Sequence, residues 1–573
     1  MGDLRHWPIA AARNLASAGG PHAVVDELLE RRARASSPEA WISRPSAASL
    51  HARADEIAAL LAAGADLPLA GVPFAVKDNI DVAGVPTTAA CEPFAYTPDR
   101  PAIVVQRLLD AGAVFAGKTN LDQFATGLVG TRSPRYGACR NPLVPEFIAG
   151  GSSSGSAVVV ATGEVPFALG TDTAGSGRVP AALCGIVGLK PTPGAVPTHG
   201  VVPAMASYDC VSAFTTNIED AAIAFRSLVG QAPTLGEAPA RLGVFGDVDW
   251  LGDDDARERF ERAVDHAREF GCTITTIDAA PFRAAGVLLY GSALVAERHA
   301  AFGAFAAAHP DAMDPAVADI VRRAGDYSGT DVFQALATLV ELREETAPVW
   351  SSVDALLLPT VGRVPTFDEA TTDRFGPSQE LGRLTAFVNP LGLAAVAAPF
   401  GIRASGVPFG VSLIGPGRTE GSLLALAAAF TGEAPGSEPD LAARPRRLAV
   451  VGAHLTGQPL NHQLTDLGAV CCAETSTAPQ YRLYALDTAP PKPGLLRAPG
   501  GGGVAIEVEV WALDDAALGA FVAAIPAPLG VGKVALADGT EVTGFLCEPH
   551  AVEHAREITS FGGWRAFLAS VAR

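Results

Sequence analysis

Two clusters of glycine and serine constrain the architecture of this chain more than any other feature. The first runs from Gly150 to Ala157 and the second from Gly170 to Arg178, and each lies beside a short apolar segment. Glycine buries no side chain and costs backbone entropy, so this density does little for a hydrophobic core. It does let a backbone approach another group closely with its N–H groups turned inward. We therefore expect both clusters to line a site.

Short apolar segments alternate with helical ones around the clusters. The pattern predicts strands at 72–76, 113–116 and 165–169 and helices at 46–63, 102–111 and 156–162. Such alternation predicts an α/β fold in which helices cover both faces of a mixed β-sheet core.

The length of the chain, 573 residues, predicts more than one domain, because one hydrophobic core rarely supports so long a chain. Residues 431–447 are rich in proline and charge and are typical of a linker. We therefore predict a large domain of residues 1–440 and a second domain of residues 447–573. Strand-like runs around a Pro/Gly loop at 490–503 predict that the second domain is small and β-rich.

Charge and cysteine usage exclude several classes of function. The formal net charge of -19 argues against a nucleic acid or an anionic membrane as partner. We find no apolar run long enough to span a bilayer and no basic-then-apolar signal peptide. The eight cysteines form no Cys-x-x-Cys pair, so neither a zinc site nor a disulfide framework is indicated. A reducing cytoplasm is the expected compartment.

Two familiar motifs occur in a context that argues against their usual function. Residues 112–119 fit the phosphate-loop pattern, but the interval between the glycines is apolar and a predicted helix precedes it. Residues 151–155 fit the nucleophile elbow of α/β-hydrolases around Ser153. That match arises easily in a segment so rich in serine and glycine, so we favour neither function.

Lys77 and two other serines offer a different chemistry. A serine nucleophile needs a base and preorganised donors for its oxyanion, yet no histidine lies between His51 and His199. Lys77 ends an apolar strand, and burial there would lower its pKa towards neutrality. Ser152 could then relay a proton between Ser176 and a neutral Lys77. Taken singly, each residue also fits an ordinary surface or turn position.

Asp172 and Arg178 flank the turn that contains Ser176. We expect the two side chains to pair as a brace for this turn and to take no direct part in the chemistry.

Together these residues resemble the amidase signature family from Gly71 to about Val202, including the segment Gly188–Thr192. The separations of 75 residues from Lys77 to Ser152 and 24 from Ser152 to Ser176 agree with it. The resemblance implies that Ser176 is the acyl nucleophile, Ser152 a bridging serine with a cis peptide, and Lys77 the base. It also implies an oxyanion hole formed by the N–H groups of Thr173, Ala174, Gly175 and Ser176.

Residues 121–133 and 289–298 resemble the allophanate hydrolase branch of that family. The resemblance implies that Tyr290 and Arg298 hold a substrate carboxylate and that Gly127 also contacts the substrate. Two turns of helix would bring Tyr290 and Arg298 near one face, where a phenol and a planar cation suit a small carboxylate. A packed tyrosine and a solvated arginine are the ordinary alternative.

The last segment is similar to the C-terminal domain of allophanate hydrolases, especially at residues 452–464 and 492–497. This similarity implies a fold resembling γ-glutamyl cyclotransferase and a histidine that helps to remove CO2 from the first product. His454 and His462 are the two candidates, and a structural role is equally open for each.

The resemblance as a whole implies hydrolysis of allophanate (urea-1-carboxylate) to ammonia and N-carboxycarbamate, which ends as ammonia and CO2. No metal or organic cofactor is expected, because lysine and backbone donors suffice. A homodimer, possible association with other enzymes of the pathway, and a cytoplasmic location are also implied. The alternatives are a general small-amide amidase, a glutaminase-type amidotransferase component, and a non-catalytic scaffold.

Overall fold

The computed structural model describes residues 7–230, 238–433, 446–467, 469–488, 490–498, 500–513 and 515–571. It divides into two compact units, Met1–Ser437 and Glu438–Arg573. Most of the predicted linker at 431–447 lies outside the described residues. Within the described ranges, no helix combines the length and apolar character needed to cross a bilayer.

A mixed sheet of eleven strands forms the centre of the large unit. The strands are β1 (Trp41–Ser43), β2 (Pro73–Lys77), β3 (Val114–Thr119), β4 (Phe167–Asp172), β5 (Val187–Lys190), β6 (Cys210–Thr215), β7 (Arg241–Phe245), β8 (Thr273–Ile277), β9 (Ala355–Pro359), β10 (Ala394–Ile402) and β11 (Pro408–Gly415). Their order is β1-β3-β2-β4-β6-β5-β10-β11-β9-β7-β8. β2 is parallel to β3 and β4, and β7 is parallel to β8 and β9, while the other pairs are antiparallel.

Helices pack around this sheet. They are α1 (Ile9–Arg34), α2 (Ala47–Ala62), α3 (Ile103–Asp110), α4 (Ser154–Ala161), α5 (Val179–Cys184), α6 (Ile218–Val229), α7 (Asp254–Glu269), α8 (Ala280–Gly291), α9 (Ala296–Ala308), α10 (Pro315–Ala324), α11 (Gly329–Thr346), α12 (Val349–Ser352), α13 (Phe367–Thr372), α14 (Gly376–Gly382) and α15 (Glu420–Thr431). Every residue of β2, β4, β9 and β11 is buried, so side chains on both faces of these strands are covered. The predicted mixed α/β core is confirmed.

Local sequence signals account for several of these elements. α2 begins after Ser46, whose hydroxyl accepts the Ser49 N–H at 3.1 Å, and the helix ends before Gly64 as predicted. Residues 112–119, which fit the phosphate-loop pattern, form no phosphate-binding loop but contain the core strand β3. Its Lys118 is fully buried and paired with Asp78 at 2.9 Å.

The second unit is β-rich, as predicted. Its strands are β12 (Arg446–Val450), β13 (Val470–Ser476), β14 (Tyr481–Leu486), β15 (Lys492–Arg497), β16 (Glu507–Leu513), β17 (Leu529–Ala535), β18 (Glu541–Cys547) and β19 (Arg556–Glu557), with helices α16 (His462–Thr465), α17 (Asp515–Ala523) and α18 (Trp564–Val571). A five-stranded sheet, β13-β16-β12-β18-β17, and a three-stranded sheet, β15-β14-β19, enclose one apolar core. The resemblance of this unit to γ-glutamyl cyclotransferase stays a prediction.

Candidate active site

Two adjacent parallel strands bring the predicted catalytic groups to one edge of the sheet. β2 pairs in parallel with β4, so their carboxyl ends lie side by side. Lys77 is the last residue of β2, and the second glycine–serine cluster begins in β4 and continues beyond its end. Ligands commonly bind outside the carboxyl ends of parallel strands. The fold therefore brings Lys77 close to the second glycine–serine cluster, which the sequence spacing alone could only suggest.

Lys77 has the surroundings of a base. Its side chain is fully buried, and its Nζ lies 2.8 Å from Ser152 Oγ and 2.7 Å from Thr171 Oγ1. Burial lowers the pKa of Lys77 to about 7, although three nearby carboxylates act in the opposite direction. A large neutral fraction therefore exists at neutral pH, and its lone pair can accept a proton from the hydroxyl of Ser152.

Ser152 follows a cis peptide bond, Gly151–Ser152, as the family resemblance implies. Its carbonyl accepts the N–H of Asp122 at 3.0 Å, and the Gly151 N–H donates to Leu128 at 2.8 Å. The neighbouring Ser153 donates its hydroxyl to the carbonyl of Thr171 at 3.1 Å. Ser153 thus ties the first cluster to β4, whereas Ser152 contacts the lysine.

Asp172 and Arg178 form the predicted brace. Both side chains are fully buried, and two hydrogen bonds of 2.9 Å join the guanidinium to the carboxylate. Burial alone would raise the pKa of Asp172, but Arg178, Lys190 and the Gly177 N–H together hold the pKa below its ordinary value. The same carboxylate accepts the N–H groups of Gly175 and Gly177, each at 2.9 Å. The buried Asp172 carboxylate therefore fixes the turn that carries Ser176.

The four predicted oxyanion donors are not equivalent. Among the described residues, the N–H groups of Thr173, Ala174 and Ser176 have no protein acceptor, whereas that of Gly175 donates to Asp172. Gly175 has a φ of 138°, and a Cβ there would collide with the side chain of Thr385. Gly175 therefore shapes the turn, and we retain the other three N–H groups as candidate donors.

Tyr290 and Arg298 do not lie on one continuous helix, so that part of the prediction is wrong. α8 ends at Gly291, Ser292 is extended, and a 3₁₀ turn at Ala293–Val295 precedes α9. The two side chains nevertheless meet. Arg298 Nη2 lies 3.4 Å from the Tyr290 hydroxyl, and the guanidinium lies 5.2 Å from the ring centre.

Arg298 is fully buried, yet no carboxylate lies within ion-pair distance of it in the part of the chain that the structure describes. Its Nη1 donates to the hydroxyl of Thr126, and its Nε has no acceptor among the same residues. A buried cation without a directly paired carboxylate is costly. This guanidinium is therefore suited to receive an anionic group from a ligand.

Two further features complete this part of the site. Gly127 follows Thr126 with a φ of 148°, and a Cβ there would lie 2.7 Å from Asp122 Oδ2. Tyr290 is 38% exposed, but its hydroxyl end faces Arg298, and burial raises the pKa of Tyr290. The phenol therefore stays protonated and able to donate.

Sequence reasoning missed three residues of this region. Thr171 holds Lys77, Thr126 holds Arg298, and buried Asp209 accepts the Thr173 hydroxyl at 2.5 Å. Burial raises the pKa of Asp209 to about 6. Thr171 belongs to the second glycine–serine cluster and Thr126 to the segment 121–133, so their positions carried a signal. Asp209 lies 33 residues beyond Ser176, outside every predicted motif, and only the fold brings it near.

The two histidines of the second unit have different surroundings. His454 is buried against the rings of Phe521 and Phe545, both 5.1 Å away, and its Nε2 lies 3.0 Å from Gln463 Oε1. Burial lowers the pKa of His454, so its ring is neutral. His462 is exposed, with Nδ1 3.0 Å from the Pro459 carbonyl. Only His454 is held in one orientation by packing.

No cluster of three or more His, Cys, Asp or Glu side chains suited to a metal ion occurs within the described ranges.

Comparison with known families matches most of the chain. The Amidase family model covers residues 23–424, and the Allophanate hydrolase C-terminal domain model covers residues 446–569. The selenomethionine-substituted allophanate hydrolase of Kluyveromyces lactis is 36% identical, with a TM-score of 0.72. The match covers 99% of this chain and 100% of that one.

The curated relatives are of two kinds, urea amidolyases and amidotransferase components, and each match covers only part of the relative. Urea amidolyase of Saccharomyces cerevisiae is 39% identical over 544 residues, which are 88% of this chain but 30% of the relative. The chain thus spans about a third of the length of such relatives. A glutamyl-tRNA(Gln) amidotransferase component of Methanosarcina acetivorans is 52% identical over 168 residues, 29% of this chain and 35% of the relative.

Proposed function

The chain belongs to the amidase family, in its allophanate hydrolase branch, and we propose that it hydrolyses allophanate to ammonia and N-carboxycarbamate. The observation that carries the reaction class is the contact of buried Lys77 with Ser152 at 2.8 Å, with a lysine pKa of about 7. A serine that hydrolyses an amide without histidine needs another base, and a neutral amine can serve as one.

In the proposed mechanism, Ser176 Oγ attacks the terminal amide carbonyl while its proton passes through Ser152 to Lys77. The N–H groups of Thr173, Ala174 and Ser176 stabilise the oxyanion. Collapse of the tetrahedral intermediate breaks the C–N bond, and the returning proton lets ammonia leave. Water then attacks the acyl-enzyme by the same route and releases N-carboxycarbamate. Loss of CO2 from this product leaves carbamate, which breaks down to ammonia and CO2.

The buried guanidinium of Arg298 supports an anionic substrate. A carboxylate in that position would give the cation its missing partner, and the Tyr290 phenol could donate to the same group. Gly127 lies beside Thr126, the protein partner of Arg298, and we propose that its backbone borders the bound substrate. Allophanate carries its carboxylate at the opposite end from the amide that is cleaved.

Replacing Arg298 by methionine tests the substrate class. The variant keeps much of the side-chain volume but loses the charge, so kcat/KM for allophanate should fall about a hundredfold, the scale of a desolvated charge-assisted contact. Steady-state ammonia release measures this, with a small neutral amide as the internal control. Equal losses on both substrates would contradict carboxylate recognition.

The same experiment decides between this function and the main alternatives. The similarity to the glutamyl-tRNA(Gln) amidotransferase component over 168 residues favours a shared amide-cleaving core. A general amidase or a glutaminase-type component would use that core without needing the Arg298 charge.

We also propose that His454 assists the loss of CO2 from N-carboxycarbamate. The ammonium of Lys492 lies near enough to lower the pKa of His454 further, and a cation beside His454 suits a dianion. In His454→Asn, initial ammonia release should stay within about twofold of the unmodified chain, since His454 and Ser176 belong to different compact units. The CO2 released per ammonia should fall. An unchanged ratio of CO2 to ammonia would contradict this role and indicate that His454 only packs in the core of the second unit.

A homodimer in the cytoplasm, in possible association with other enzymes of the pathway, remains part of the proposal. The support is the family resemblance, and sedimentation of the purified chain measures the oligomeric state directly.

A further inference from the structure

We infer that Thr385 and Asn389 are positioning residues that orient the oxyanion donors of the Ser176 turn. Both lie between α14 and β10, roughly two hundred residues beyond that turn, and both are fully buried or nearly so. The inference rests on the proposed function, because it assigns these N–H groups to the oxyanion of an acyl-transfer reaction.

Asn389 fixes the peptide that carries the Thr173 N–H. Its Nδ2 donates to the carbonyl of Asp172 at 2.8 Å and to that of Tyr208 at 2.9 Å. A trans peptide is planar, and its C=O and N–H point in opposite directions. Holding the Asp172 carbonyl on the Asn389 side therefore turns the Thr173 N–H to the other side, where it has no acceptor among the described residues.

The orientation of the Asn389 amide is itself determined. Its Oδ1 accepts Arg178 Nη2 at 3.1 Å, so the oxygen faces a cation and the nitrogen faces two carbonyl acceptors. The reverse orientation would place the amide NH2 against a guanidinium and the oxygen against two oxygens. Asn389 therefore connects the brace of Asp172 and Arg178 to the backbone of the turn.

Thr385 fixes the next part of the turn. Its hydroxyl donates to the carbonyl of Ala174 at 2.7 Å, while the N–H of the same peptide, that of Gly175, donates to Asp172 at 2.9 Å. That peptide is held at both ends. Because this central peptide adjoins the two peptides that carry the Ala174 and Ser176 N–H groups, holding it in place restricts the movement of both.

The start of helix α5 holds the peptide between Gly175 and Ser176. The carbonyl of Gly175 accepts the N–H groups of Arg178 and Val179 at 2.9 and 2.7 Å, which directs the Ser176 N–H away from the helix. Three of the peptides in the turn thus have a fixed carbonyl. Two of these three carbonyls are held by side chains of the distant segment, Thr385 and Asn389. Substitution of these two residues would therefore release part of the turn.

Fixing the peptides of the turn should stabilise the transition state more than the bound substrate. An oxyanion hole must be oriented before the charge develops, and loss of one donor costs about a hundredfold or more in kcat. Substrate binding through Arg298 does not use these peptides. Loosening the turn should therefore lower kcat and leave KM for allophanate nearly unchanged.

Thr385→Val tests the inference, because valine keeps the branched shape and removes only the donor. We expect kcat for ammonia release to fall about tenfold or more, while KM changes less than about threefold. Thr385→Ser restores a hydroxyl and should recover most of the kcat. Asn389→Asp keeps the acceptor for Arg178 but loses both N–H donors, and it should show the same split between kcat and KM.

Thr360→Val is the matched control. Thr360 is also fully buried and bonds to Ser412 at 2.9 Å, and none of its hydrogen bonds within the described ranges reaches the turn. Its kcat should stay within about twofold of the unmodified chain. Melting temperature and the rate of Ser176 labelling by a fluorophosphonate are measured for all variants. If Thr385→Val does not fold, Asn389→Asp compared with Thr360→Val carries the same test.

The outcomes separate the two proposals. If the unmodified chain neither releases ammonia from allophanate nor labels at Ser176, both the proposed function and this inference are overturned. If it does both, and Thr385→Val and Asn389→Asp lose no more kcat than Thr360→Val, the positioning inference alone is overturned. A loss of kcat in Thr385→Val that Thr385→Ser does not restore also contradicts it.

Discussion

Ser176→Ala should lower ammonia release from allophanate by about a thousandfold or more, because the variant lacks the atom that forms the acyl bond. The remaining rate would come from binding and the oxyanion donors alone. Melting should change little, since Ser176 is a small side chain in a turn already held by Asp172. A discontinuous ammonia assay on the purified variant measures the effect, and mass spectrometry after fluorophosphonate treatment should show no adduct at this position.

Ser153→Ala is the matched control for this experiment. Ser153 is also buried in the first cluster and fits the commonest hydrolase motif, but its hydroxyl bonds to the Thr171 carbonyl. We expect it to keep activity within about tenfold, the scale of losing its two hydrogen bonds with the Thr171 backbone. A complete loss in Ser153→Ala with activity retained in Ser176→Ala would reverse the assignment of the nucleophile.

Lys77→Met should abolish activity over the whole pH range in which the unmodified chain is active. In the unmodified chain, kcat/KM should rise with pH through about 7, because only the neutral amine can accept the proton from Ser152. The pH profile of ammonia release measures this. A rising limb that survives in Lys77→Met would assign the titration to another group and contradict the role of Lys77.

The same variant should be more stable than the unmodified chain. The pKa of Lys77 is about 7 in the folded chain and near 10.5 in the unfolded chain, so unfolding takes up protons at pH values between these two. The cost to the fold is greatest below about 7 and disappears as the pH rises towards 10.5. Methionine removes this cost, on the order of 4 kcal/mol at neutral pH, against about 2 kcal/mol from two lost hydrogen bonds.

Thermal unfolding at several pH values measures this effect. Lys77→Met should melt above the unmodified chain at pH 7, and the difference should shrink towards pH 10. A variant that melts lower at pH 7 would indicate that Lys77 is not held in the low-pKa state from which the mechanism starts.

Several parts of the fold and the site follow from local sequence. The observed β2, α2 and β3 lie near their predicted positions because apolar runs and end signals such as Ser46 act within a few residues. The lysine, the serines and the Asp172–Arg178 brace are predictable because their types and spacings are themselves informative. The prediction of one helix through Tyr290 and Arg298 is wrong, since Ser292 interrupts it with an extended backbone and a capping hydroxyl that no periodicity reveals.

By itself, the sequence determined the kind of chemistry: a serine nucleophile, a lysine in place of histidine, and a glycine-rich turn rich in backbone donors. Only the tertiary structure decided how these groups function. It buries Lys77 so that its pKa falls, and it engages the Gly175 N–H while leaving three others available in the described part of the chain. It also leaves Arg298 there without a directly paired carboxylate. The reason is physical, because burial depends on how strands pack together, and peptide orientation depends on residues such as Thr385 and Asn389 that are distant along the chain. No local pattern encodes those contacts.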